Sequence, residues 1–306
     1  MPINKKEEFH SGYIAIIGRP NVGKSTLLNR ILGEKIVITS PKPQTTRYKI
    51  IGIKSVPNGQ LIFLDTPGIH KAKKVMNKIM VEASLSSIDD ADIIIFMIEA
   101  DKDFHPLDLF IIEKLKQKAK DKKTFLVINK IDRIKKPFLL PLIKKGAEKY
   151  NFEAIYPICA ITGEGVEELL SDVIDKLPVG PPYYPDDMIT DKSERFLIAE
   201  IIREKIFMLT YEEIPYSTMV DVVMFDEKEK KGLVHIVADI YVERRSQKGI
   251  IIGKNGEMLK KIGTLARKEI EELLHKKVFL ELFVNVTPNW TKDKRILKEF
   301  RKEIGI

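Results

Sequence analysis

Eight consecutive residues carry the first chemistry: Gly18-Arg19-Pro20-Asn21-Val22-Gly23-Lys24-Ser25. An apolar run, Tyr13 to Ile17, precedes them, and an apolar-periodic run from Thr26 to Leu32 follows. The octet fits G-x-x-x-x-G-K-[ST], set between a strand and a helix. Backbone N–H groups converge on phosphate oxygens only where no bulky Cβ intrudes, which explains Gly18 and Gly23. The helix starting near Lys24 turns its positive end toward the same oxygens. The Lys24 ammonium can reach β- and γ-phosphates, and the Ser25 hydroxyl can ligate Mg²⁺. This loop asks for a nucleoside triphosphate and leaves the base open.

Asn129-Lys130-Ile131-Asp132 addresses the base. A carboxylate at Asp132 can accept from both N1–H and the 2-amino group of guanine, whereas adenine offers neither donor. A site built on such bonds rejects the analogue that lacks them. Asn129 can brace the loop and the Lys130 stem can cover the base. Ile158-Cys159-Ala160 is placed to offer a backbone N–H to guanine O6. Cys159 reads as a small packing residue, because no activating base is near it in sequence. Asp65-Thr66-Pro67-Gly68 ends an apolar run, so Asp65 can hold Mg²⁺ through water and the Gly68 N–H can sense a γ-phosphate. Of the adjacent Thr45 and Thr46, either could close onto the metal, and Thr46 is preferred. The position after Gly68, Ile69, is aliphatic and cannot orient water.

These residues need a scaffold. Apolar runs at 13–17, 60–65, 93–98, 124–128 and 154–158 alternate with helical patterns at 24–33, 75–86, 106–118, 137–150 and 166–177. That alternation predicts an open α/β sheet, mostly parallel, with every motif just after a strand. Pro57-Asn58-Gly59 predicts a hairpin joining a strand at 47–56 to the next. The stretch Glu34 to Thr46, with Ser40-Pro41-Lys42-Pro43 inside it, predicts a long loop. Residues 1–180 then form one domain, and the proline-rich stretch 181–190 reads as a stiff linker.

Residues 191–306 form a smaller α+β domain with a basic C-terminal tail. The pattern predicts a helix at 194–209, strands at 217–225 and 233–243, a helix ending near Leu274, and an alternating strand, Val278 to Val286. Between them stands Gly253-Lys254-Asn255-Gly256, among Arg244, Arg245, Lys248, Lys260 and Lys261. Two small residues let a nucleic-acid backbone approach, and the cations meet its phosphates. That is how a KH module grips about four nucleotides. Trp290 reads as a packing anchor rather than a base-stacking platform.

The 306 residues carry a net charge of +8, which favours an anionic partner such as nucleic acid or an acidic membrane surface. One cysteine excludes an internal disulfide and fits a reducing compartment. The polar residues 1–10 lack a signal-peptide core, and no apolar run is long enough to span a bilayer. A cytoplasmic protein is expected.

The ordered set Gly18–Ser25, Gln44-Thr45-Thr46-Arg47, Asp65–Gly68, Asn129–Asp132 and Ile158–Ala160 resembles the translation-factor-related GTPases. The octet is similar to that of the Era branch, and so is the order of a GTPase domain followed by one type II KH domain. Asp187-Met188-Ile189-Thr190-Asp191 and Arg203-Glu204-Lys205 extend the resemblance. It implies a P-loop GTPase fold with a KH type II domain, binding GTP or GDP with Mg²⁺ at residues 18–26, 65–68, 129–132 and Cys159-Ala160. In that set Thr26, Thr66 and Pro67 line the nucleotide, while Lys24, Asn21 and Thr46 serve catalysis. The resemblance further implies K⁺ held with the help of Asn21, and binding of the 16S ribosomal RNA 3′ end. It also implies a monomer that assists small-subunit assembly, with peripheral contact at the inner membrane. Two other readings fit part of the pattern: a membrane-associated switch, and an RNA chaperone that binds nucleotide without turnover. The KH-like stretch favours RNA over lipid, and Lys24, Ser25 and Asp65 favour turnover.

Overall fold

The computed structural model describes residues 8–70, 74–101, 103–228, 232–304 and 306. The polar N-terminal residues 1–7 and most of the lysine-rich stretch after Gly68 lie outside the described residues. The chain divides into two units. One contains the residues up to Val37, Thr46–Asp191 and Arg301–Ile306; the other contains Ile38–Thr45 and Lys192–Phe300.

The first unit is built on six strands: β1 (His10–Gly18), β2 (Ile50–Val56), β3 (Gly59–Asp65), β4 (Ile93–Glu99), β5 (Lys123–Asn129) and β6 (Ile155–Ile158). Helices α1 (Lys24–Leu32), α2 (Val75–Asp90), α3 (Pro106–Lys118), α4 (Leu139–Lys149) and α5 (Val166–Lys176) alternate with them. The sheet order is β2-β3-β1-β4-β5-β6, and only the β2–β3 pair is antiparallel. Parallel strands are covered on both faces, so they must be apolar throughout. Accordingly β3 is buried at every residue, and β4 at all but its last. The strand order reverses at β1, with β3 on one side and β4 on the other. Ligands bind beyond the strand ends at such a switch point.

The proline-rich stretch 181–190 is fastened to this unit along β2 and β3. The Gln60 amide donates to the Tyr184 carbonyl at 2.8 Å and accepts from the Tyr183 and Tyr184 N–H groups. The Ile53 N–H donates to the Ile189 carbonyl at 2.8 Å, and Thr190 bridges Gly52. Proline fixes this segment in extended form, and its carbonyls then serve as acceptors for the strand beside it.

The second unit contains α6 (Glu194–Leu209), β7 (Met219–Lys228), β8 (Leu233–Val242), α7 (Arg245–Ile252), α8 (Glu257–Leu274) and β9 (Lys277–Val286); α9 (Lys294–Glu303) begins in it. Its sheet order is β7-β8-β9, antiparallel then parallel. The Ser193 hydroxyl caps α6 by accepting from the Phe196 N–H at 3.3 Å. Ile198, Ile202 and Ile206 of α6 pack with Ile262, Ala266 and Ile270 of α8 against Ile236, Ala238 and Ile240 of β8. Helix α7 has no counterpart in the sequence pattern, because Ile250-Ile251-Ile252 is a run of β-branched apolar residues. Gln247 organises it: its carbonyl accepts from the Glu243 and Arg244 N–H groups, and its amide donates to Ser217 Oγ. Trp290 is 1% exposed and its Nε1–H donates to the Ser217 carbonyl at 3.1 Å, so it anchors this unit.

Candidate functional site

Gly23 ends the phosphate loop with φ at +104°, and a Cβ there would lie 2.2 Å from Asn129 Nδ2. Glycine is therefore required on both conformational and spatial grounds. Lys24 is buried and donates to the carbonyls of Gly18 at 3.2 Å and Arg19 at 3.1 Å. Burial pushes its ammonium down to about 8; Asp65 opposes that shift and Arg19 adds to it. Burial likewise pushes the Asp65 carboxyl up to about 6, opposed by Lys24, the Ser25 hydroxyl and the Thr66 N–H.

The Ser25 hydroxyl donates to Asp65 Oδ2 at 2.9 Å and lies 2.9 Å from Thr46 Oγ1. Two hydroxyls and a carboxylate thus converge. Asp65 Oδ1 is buried with no hydrogen-bond partner among the described residues. An orphaned buried oxygen beside two hydroxyls suits a hard dication, so the residues present fit Mg²⁺. The Thr45 hydroxyl turns away and donates to the Lys42 carbonyl at 2.8 Å. Ile69 is fully buried in the apolar core, and its N–H donates to the Gly18 carbonyl at 3.0 Å. His70 Nδ1 lies 2.9 Å from the Gly68 carbonyl.

Asn129 is buried at the end of β5 and braces two loops. Its amide donates to the Val22 carbonyl at 2.7 Å, and its Oδ1 accepts from the Ala160 N–H at 2.9 Å. Of the tripeptide 158–160, the Cys159 N–H also has an internal partner, the Glu164 carbonyl. The Cys159 thiol is buried and donates to Asp132 Oδ1 at 3.2 Å, while Asp132 itself is exposed. Lys130 donates to the Asn21 carbonyl at 2.7 Å and to Glu99 at 2.9 Å, joining the base loop to the phosphate loop.

Glu99 also pairs with Arg19 at 3.3 Å and with Arg133 at 3.4 Å. Arg19 reaches Asp101 at 2.6 Å and Asp108 at 3.4 Å. Sequence reasoning passes over this acidic hub. Its one signal is an acid closing the apolar run of β4, the position at which the other strands carry their motifs.

Ile38–Thr45 packs on α6 within the second unit. The Arg203 guanidinium donates to the Thr45 carbonyl at 2.6 Å and to both oxygens of Glu200 at 2.6 Å. The Glu204 carboxylate accepts from the Thr39 N–H at 2.8 Å. Lys42 caps the C-terminal end of α6, donating to the Phe207 and Thr210 carbonyls, with its ammonium 4.7 Å from the Tyr211 ring centroid.

Gly253 and Gly256 adopt φ of +73° and +79°, and Asn255 between them sits at +51°. The turn holds Lys254 and Asn255 exposed between α7 and α8. Arg244, Arg245, Lys260 and Lys261 are exposed as well, and Lys248 is half-buried. Among the described residues none of these cations is held in an ion pair.

The fold and the two sites define a P-loop GTPase module followed by a KH module. Residues 13–130 match the family described as 50S ribosome-binding GTPase, and residues 213–291 match the KH domain. Over 298 residues the chain is 56% identical to GTPase Era of Geotalea uraniireducens, covering 97% of this chain and 99% of that protein. It is 51% identical to GTPase Era of Lacticaseibacillus paracasei over 95% of this chain and 96% of that one. Among solved structures it is similar to an Aquifex aeolicus Era variant bound to GDP and AlF₄⁻, with a TM-score of 0.89 and 44% identity over 95% of this chain and 99% of that one. An Era complex with MgGDPNP and nucleotides 1506–1542 of 16S ribosomal RNA is equally similar, at TM-score 0.89 and 44% identity over 95% of this chain and 98% of that one. The chain belongs to the Era family of GTPases.

Proposed function

We propose that this chain is a Mg²⁺-dependent GTPase that binds the 3′ end of 16S ribosomal RNA and assists small-subunit assembly, with nucleotide state and RNA affinity linked. The carrying observation is that one chain holds both the Ser25–Thr46–Asp65 cluster and the basic turn at Gly253–Gly256. The family match and the RNA-bound relative support the same reading. Lys24 and the loop N–H groups hold the β- and γ-phosphates, and Asp132 accepts from guanine. Ser25 and Thr46 would hold Mg²⁺ directly and Asp65 through water, and the bound ion would supply charge neutralisation at the β- and γ-phosphates. The buried Ile69 supplies no water-orienting group, so unassisted turnover is slow.

Asn21 is exposed on the phosphate loop, where its side chain can help hold K⁺ against the phosphates. Turnover should therefore rise in K⁺ over Na⁺, and Asn21→Ala should lose that preference. A rate indifferent to the cation in both proteins removes K⁺ from the mechanism. A cytoplasmic monomer with peripheral contact at the inner membrane completes the proposal. It rests on the family resemblance and the net charge of +8. Among the described residues no helix is long and apolar enough to cross a membrane.

The function is tested by titrating a 16S 3′-end oligonucleotide into the full chain and into the Lys254→Asp, Asn255→Asp double variant. Two added negative charges and one lost cation should weaken RNA binding about tenfold or more, with GTP affinity unchanged. Equal RNA affinity in the two proteins overturns the RNA site.

A further inference from the structure

The sheet of the second unit buries one face under α6 and α8. In β9 the buried register is Val278, Leu280, Leu282, Val284, so the opposite register faces outward. An outward register is ordinarily polar. Here it carries Phe279 and Phe283, each 51% exposed. The cross-strand pairing sets them in two rows, Asp226–His235–Phe279 and Asp221–Asp239–Phe283. Glu281 stands between the two phenylalanines and accepts from His235 Nε2 at 2.7 Å.

Asp221 and Asp239 stand directly opposite each other on adjacent strands. Like charges so placed destabilise a sheet. Among the described residues neither carboxylate has a cationic partner; the Tyr241 hydroxyl donates to Asp239 at 3.1 Å. The same outward register begins with Lys277, 81% exposed and 3.8 Å from Glu271; beyond it Asp221, Asp226, Asp239 and Glu281 leave the face acidic in a chain that is basic as a whole, at +8. This face repels phosphate and therefore suits neither RNA nor an anionic lipid surface. Carboxylates interleaved with exposed aromatic rings instead suit lysine and arginine. Their heads pair with the acids or lie over the rings, and their aliphatic stems cover the apolar surface. Exposed aromatics are also enriched in protein interfaces.

We propose that this open face docks a basic protein segment of the small ribosomal subunit, separately from the RNA-binding turn. The proposal rests on the function given above for its choice of assembly. A photo-crosslinking p-benzoylphenylalanine at Phe283 tests it, in the full chain with a non-hydrolysable GTP analogue and purified small subunits. The expected product is a crosslink to a basic subunit protein, identified by mass spectrometry and lost when Asp221 and Asp239 are replaced by lysine. Asp239→Asn should weaken subunit affinity about fivefold while leaving 3′-end RNA affinity and GTP turnover unchanged. Because it relieves the opposed charges, the same variant should also raise the melting temperature by about 1–3 °C. Crosslinks to ribosomal RNA alone, no crosslink from a co-sedimenting protein, or a lowered melting temperature in Asp239→Asn each overturn the proposal. Failure of the unlabelled wild type to co-sediment with subunits overturns the functional reading, and this proposal with it.

Discussion

Asp65 shows how a single residue sets the pH behaviour of the site. Burial raises its carboxyl from 3.8 to about 6. The native state therefore binds more protons than the unfolded chain between those values, and stability falls as pH rises through them. At about 1.4 kcal/mol for each pH unit, the ionised form costs about 3 kcal/mol above pH 6. Lys24, lowered from 10.5 to about 8, has the opposite sign: its stability is full above 10.5 and is lost as pH falls through 8. Near neutrality both charges are carried at a cost, which phosphate and Mg²⁺ would offset at the proposed site. If Asp65 holds Mg²⁺ as proposed, protons compete with the ion there, and Mg²⁺-dependent GTP affinity should be level above pH 7. Below about pH 6 it should fall toward tenfold per unit. Calorimetric titrations at several pH values, with Asp65→Asn as control for the nucleotide's own titration, check this. Identical pH profiles in the two proteins contradict the assignment.

At the scale of elements, the phosphate and base motifs were legible because their chemistry demands residue types the backbone cannot substitute. Only glycine fits beside Asn129 at Gly23, and the guanine-reading role proposed for Asp132 requires a carboxylate. The parallel strands were legible because burial on both faces leaves continuous apolar runs. What could not be read were partnerships made across the fold. The apolar stripe of α6 is plain, but Glu200, Arg203, Glu204 and Lys205 are buried as well: Arg203 and Glu204 bond to Thr45 and Thr39 of the loop Ile38–Thr45, and Lys205 pairs with Glu204 and with Glu269 of α8. Nothing in the loop's proline-rich composition announces that destination. Helix α7 was hidden because β-branched isoleucines resemble a strand, and its organising Gln247 acts through tertiary bonds. The prolines of 181–190 read as a linker, whereas Gln60, one buried side chain in β3, holds the stretch by three hydrogen bonds. Arg203→Ala should leave Glu200 buried without its partner and destabilise the second unit by about 3–5 kcal/mol. Urea unfolding followed by the fluorescence of Trp290, the single tryptophan, reports on that unit. A loss under about 1 kcal/mol would show that the buried pair is dispensable.

For the whole molecule, the central claim is that the nucleotide and RNA sites share one equilibrium. Thr46 meets Ser25 at the metal cluster, and its chain neighbour Thr45 is held by Arg203 on α6 of the RNA-binding unit. A single peptide bond therefore joins a residue of the proposed Mg²⁺ site to one fixed on the KH fold. Each ligand then biases the same segment, and linkage requires each to change the other's affinity by the same factor. The most direct measurement is a titration of the full chain with the 16S 3′-end oligonucleotide, first in GDP and then in a non-hydrolysable GTP analogue. The account predicts RNA affinities that differ by about fivefold or more, with a matching shift in the analogue's affinity relative to GDP when RNA is saturating. Identical RNA affinity in the two nucleotide states would contradict it.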